Sequence, residues 1–127
     1  MVNLKKNVKR FDALNRHQAT RTFRILARDI KRELNGFTRT GGFKHFELIL
    51  EPEKNYDPKS AKMVETGYAL FTLQLGAQSS ITRKWKIPVH FIEKYDKDCC
   101  KAIESLGFCE SEVSPHGDYS VQFILDL

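Results

Sequence analysis

RHQATRTFRILARDIKREL, residues 16–34, is the most strongly patterned part of the chain. Ala19, Phe23, Leu26, Ile30 and Leu34 recur at steps of three and four, so at about 100° per residue they form one apolar stripe. Asn15 stands where an N-cap belongs, with Gln18 three residues on to bond back. Gly36 is the expected left-handed stop. A helix with one apolar stripe must bury it against another layer, and the remainder of the chain supplies strands for that layer.

Outward from this helix, Leu4, Val8, Phe11 and Leu14 predict that the N-terminal arm, residues 1–14, is itself a short amphipathic helix; its continuity with the main one is left open. Residues 35–42 read as a loop, with Gly41 and Gly42 leading into a strand over 43–50. There Phe46, Leu48 and Leu50 share one face, and His45, Glu47 and Ile49 the other. Residues 51–61, with Pro52, Asn55, Asp57 and Pro58, read as a polar surface loop. Residues 68–75 are apolar on both faces and so predict a central strand. After a turn at 76–80, Ile81, Trp85, Ile87, Val89 and Phe91 alternate with Thr82, Lys84, Lys86 and His90 over 81–92. Pro88 cannot donate to a ladder, so this strand is expected at an edge or with a bulge.

A second helix is predicted from Glu93 or Asp96 to Leu106, with Tyr95, Cys99, Ile103 and Leu106 on one face and Gly107 as its stop. Two strands, 108–113 and 119–127, follow around a connection at 114–118. In the last, Tyr119, Val121, Phe123, Leu125 and Leu127 are expected to point one way. The order is α-β-β-β-α-β-β: a single α+β domain over 1–127, with helices packed on a largely antiparallel sheet.

Composition excludes classes without choosing a function. The chain has 127 residues, 41% hydrophobic and 29% charged, which suits one globular domain and is too apolar for a disordered chain. No apolar run approaches the roughly 20 residues of a membrane span, and no apolar stretch follows the cations of residues 1–10 as a secretory signal requires. Cys99, Cys100 and Cys109 are an odd set with an adjacent pair, a poor disulfide framework that points to a reducing cytoplasm. With His116 they lack the spacing by which two thiolates grip one zinc ion, so they read as buried apolar thiols; no metal or cofactor is implied.

The charge is unevenly spread. Residues 1–45 hold 12 basic and 3 acidic residues, a net of +9, whereas residues 46–127 hold 9 and 13, a net of −4. Opposite the apolar stripe, Arg21, Arg24, Arg28, Lys31 and Arg32 fall within about a third of the helix circumference, joined by His17. Asp29 and Glu33 sit to one side, and Ile25 projects close by. Arginine forks match phosphate oxygens, so this ridge can follow a nucleic-acid backbone, with Lys5, Lys6, Lys9 and Arg10 extending the footprint. Arg83, Lys84 and Lys86 around Trp85 form a second basic cluster on the expected edge strand. Trp85 there reads as core rather than as a base-stacking platform.

No P-loop, nucleophile elbow or zinc-protease motif occurs. Gly41-Gly42 precedes a strand rather than a helix and is a turn device, not a phosphate cradle. Arg39 and His45 have an R-x₅-H spacing like that of helical ribonuclease motifs, but the stretch enters a strand. Glu47, Glu51 and Asp57-Pro58-Lys59 offer a carboxylate and lysine set of the nuclease type, with its proline in a loop. The resulting expectation is a small, non-enzymatic cytoplasmic protein that binds DNA or RNA through the basic ridge, such as a regulator or a mobile-element accessory protein. An inhibitor or adaptor docking on an acidic protein surface is the alternative. A lesser one is a metal-independent ribonuclease using His45 or His90, with Lys84 or Lys86 on the phosphate.

Overall fold

The computed structural model describes residues 4–75, 82–112 and 120–127, with only the backbone given for 4–13. Helix α1 (Leu4–Gly41) is continuous: the N-terminal arm and the main helix are one element, Asn15 lies inside it, and Gly36 does not end it. The apolar stripe explains the extension, because Phe37 stands one turn beyond Leu34 and packs against the core. Thr38 and Thr40 turn their hydroxyls back onto the Leu34 and Gly36 carbonyls, at 2.7 and 2.6 Å. The chain leaves the helix at Gly42, whose φ of 65° lies in the left-handed region open to glycine. Residues 35–41, expected as a loop, are therefore helical.

Strand β1 (His45–Asp57) and β2 (Lys62–Gln74) form a long antiparallel hairpin, so the stretch expected as a loop is mostly ribbon. Its polar composition reflects exposure on both faces rather than absence of pairing. At the tip, the Lys59 N–H and the Ser60 hydroxyl donate to the two Asp57 carboxylate oxygens, both at 3.0 Å. Pro52 falls where the register shifts, and beyond Leu50, the last β1 residue paired to β5 (Val121–Asp126), so its missing N–H interrupts no bond to that strand.

Strand β3 (Thr82–Pro88) pairs among the described residues only with β2, so of the two expectations set by its proline, an edge or a bulge, the edge holds. It stops at Pro88, short of the expected end. Val89 and Phe91 belong instead to a short helix, α2 (Val89–Lys94), followed after Tyr95 by α3 (Asp96–Glu104). Gly107, at φ 101°, makes the turn out of this helical pair. The fourth strand, β4 (Cys109–Glu110), is much shorter than expected. The sheet order is β3-β2-β1-β5-β4, antiparallel throughout. β2 has neighbours on both sides, although the middle place belongs to β1. The expected turn at 76–80 and the connection at 114–118, with Tyr119, lie outside the described residues.

The helices cover one face of this sheet. Register carries Phe46, Leu48, Phe71, Leu73, Ile87, Phe123 and Leu125 to that face, where Phe23, Leu26, Ile30, Ile103 and Phe108 meet them. Arg16 reaches Asp98 on α3 at 3.8 Å, and Leu14 is exposed, so among the described side chains of α1 core packing begins at Ala19. Of the last strand's apolar residues, Leu127 turns out exposed rather than inward. The architecture is an α+β fold with helices on an antiparallel sheet.

Candidate nucleic-acid interface

Burial of one side of α1 dictates what its other side presents. Arg21, Arg24, Arg28, Lys31 and Arg32 are all exposed. At about 1.5 Å of rise per residue the row from Arg21 to Arg32 extends over about 16 Å. Among the described residues Arg21, Arg24, Lys31 and Arg32 have no ion-pair partner; Arg28 has only its neighbour Asp29, at 3.9 Å with its own side chain well exposed. His17 is exposed at the start of the same face. Lys5, Lys6, Lys9 and Arg10 lie on the backbone of the same helix, and their side chains are outside the described residues.

Beside the row, Arg24 and Thr20 face Lys101, Ala102 and Ser105 across a shallow groove between α1 and α3, with Asp98 at one end. Lys101 is thus a cation next to the ridge that linear reading misses. The signal was present in α3's own pattern, since Lys97 and Lys101 fall on the side away from the buried Cys99 and Ile103.

The second basic cluster is differently situated. Arg83 Nε lies 3.4 Å from a Glu33 carboxylate oxygen, and its guanidinium stands 5.6 Å above the Phe37 ring. Lys86 Nζ is 3.1 Å from Glu53, whose other carboxylate oxygen accepts the Thr66 hydroxyl at 2.9 Å. Those two bonds, Lys86 first, hold the Glu53 pKa below the usual carboxylate range. Lys84 is exposed and has no ion-pair partner among the described residues. Trp85 is half-buried against the core.

The histidines do not assemble. His45 opens β1, whereas His90 is on α2 beyond Pro88, the partner of Tyr68. The register separates the two by about 25 Å along the strands. They are not on neighbouring strands, so they form no acid–base pair across the sheet. His45 Nδ1 lies 2.5 Å from Asp126 and Nε2 3.2 Å from Glu47. These bonds, Asp126 first, raise its pKa, so the imidazolium is favoured and both nitrogens are engaged. His90 is exposed with its ring 4.5 Å from that of Phe91, and His116 lies outside the described residues.

Asp57 is committed to the hairpin tip, and among the described residues no cluster of three or more metal-ligating side chains forms. Cys99 is buried, and burial pushes its thiol up to about 12; Cys100 is half-buried and also raised, chiefly by burial. Cys109 is exposed, so the reading of three buried thiols fails for it. No helix is long and apolar enough to cross a membrane among the described residues.

The structure thus defines an α+β protein whose longest helix turns to solvent a row of cations that, among the described residues, has a single carboxylate partner, Asp29. Comparison with protein families, curated proteins and solved structures finds no match. The functional reading rests on this geometry.

Proposed function

We propose that this is a small, non-enzymatic cytoplasmic protein that binds nucleic acid through the outer face of α1, acting as a regulator or an accessory to a mobile element. The observation that supports it is the row Arg21, Arg24, Arg28, Lys31 and Arg32, exposed opposite the buried stripe and almost free of carboxylate partners. Unpaired guanidinium groups on a rigid helix meet phosphate oxygens without first breaking an internal ion pair. Each of the five cations neutralises at most one phosphate, which sets the size of the salt effect. Lys5, Lys6, Lys9 and Arg10 lengthen the track.

Fluorescence anisotropy with labelled duplex DNA, single-stranded DNA and RNA at about 50 and 200 mM salt tests this reading. Five phosphate contacts correspond to an affinity loss of about 10²- to 10³-fold between the two salts. Absence of binding at the lower salt overturns it and transfers the same cations to the alternative, docking on an acidic protein surface.

A further inference from the structure

The side of α1 next to the sheet edge carries a second feature, independent of the ridge. β3 has β2 on one side and, among the described residues, no strand on the other. Its backbone N–H and C=O groups on that side form an open edge. Directly above it, Thr22, Ile25, Leu26 and Asp29 of α1 and Trp85, Lys86 and Ile87 of β3 line a groove of about 230 Å³. Ile25 is exposed there and Trp85 half-buried. The Glu33–Arg83 ion pair, with Arg83 over Phe37, closes one end. Since Glu33 meets Arg83 while Thr22 shares the groove with Ile87, helix and strand run antiparallel. Both frame about 13–16 Å, or four to five residues of extended chain.

Alternation along β3 sorts its two sides. Trp85 and Ile87 face the helix layer, whereas Lys84 and Lys86 face the opposite side of the sheet. A strand added at this edge therefore directs every second side chain into the apolar groove and the intervening ones beside Lys84 and Lys86. We propose that the β3 edge binds an extended peptide by strand addition, with apolar residues entering the Ile25–Trp85–Ile87 groove and acidic residues alternating with them against Lys84, since Glu53 already holds Lys86. The apolar lining of Ile25, Leu26, Trp85 and Ile87, with the Asp29 carboxylate on the α1 wall, favours a peptide side chain over a phosphate chain.

Trp85 is the only tryptophan in the chain and reports directly on the groove. The probe is a seven-residue peptide alternating valine and glutamate, titrated to about 1 mM while Trp85 emission is followed. The expected result is saturable binding that is lost when lysine replaces glutamate. Lys84→Glu weakens it about tenfold, with the far-ultraviolet circular dichroism unchanged. Two N-methylated peptides give the decisive reading, each blocking the N–H groups on one edge. Strand addition uses one peptide edge, so one form binds and the other does not. Equal binding of both forms overturns strand addition. No response to the acidic peptide, alone or together with a response to a thymidine oligonucleotide of similar length, overturns the peptide assignment.

Discussion

The outer face of α1 and the exposed edge of β3 are built from the same residue types, yet they stand in opposite electrostatic states. On α1, four of the five ridge cations have no ion-pair partner among the described residues, and the fifth has a well-exposed contact with its neighbour. On β3, Arg83 is held by Glu33 and Phe37, and Lys86 by Glu53, and among the described residues only Lys84 has no ion-pair partner. The α1 cations gain on meeting an anion. Arg83 and Lys86 must first give up partners that also fasten helix to sheet and strand to hairpin. A count of positive charges treats the two regions alike; only the placement of carboxylates separates a row of cations open to phosphates from a cluster in which two of three are engaged in the fold.

The most severe way to break this contrast is to loosen the ridge from its support. Phe23 is 2% exposed beneath the row, and Phe23→Ala is expected to cost about 3–5 kcal/mol in urea unfolding. Next comes the ridge itself. Reversing Arg24 and Arg28 to glutamate should lower nucleic-acid affinity about 10²-fold at low salt and reduce the log–log salt slope by about 2. Lys84→Glu should change it less than about threefold. Similar losses from both sets, measured by anisotropy, erase the distinction.

Smaller effects sharpen it. Glu33→Gln releases Arg83 and should cost about 0–1 kcal/mol of stability, since the pair is partly exposed. The same variant should steepen the salt dependence of binding if a freed Arg83 joins the phosphate track. For Glu53 the folded pKa is depressed, so its stabilisation is present above the ordinary value of 4.5 and fades as pH falls through the folded value. The melting-temperature gap between the native protein and Glu53→Gln should close on acidification. His45 has the opposite sign. Its pKa is raised above 6.5, so its stabilisation is complete below that pH and fades as pH rises through the folded value. The gap to His45→Asn should shrink on the alkaline side, and by little, because the ring is 42% exposed.

Much of this was legible where one face of an element is buried. Ala19 to Leu34 announced the helix, and the same period placed the basic ridge opposite, because burying one side of a helix exposes the other. Pro88 narrowed its strand to an edge or a bulge because the ladder needs a donor that proline lacks, and the sheet order decided for the edge. The hairpin beyond Pro52 was hidden because neither face of that ribbon is buried, so no alternation of polar and apolar residues records it. The helix beyond Gly36 was hidden differently. Glycine weakens a helix by about 1 kcal/mol, and Phe37 packing on the core outweighs that preference.

The sequence by itself determined the α+β class, the order of elements, the apolar stripe of α1 and the row of cations opposite it, since each follows from periodicity along a single segment. Only the tertiary structure decided that Arg83 and Lys86 are paired while Lys84 meets no carboxylate among the described residues, that Lys101 stands beside Arg24, and that α1 and β3 frame a groove. These are contacts between residues remote in sequence, and local periodicity carries no information about which distant side chain arrives alongside. The sheet register and the crossing of α1 over it settle that.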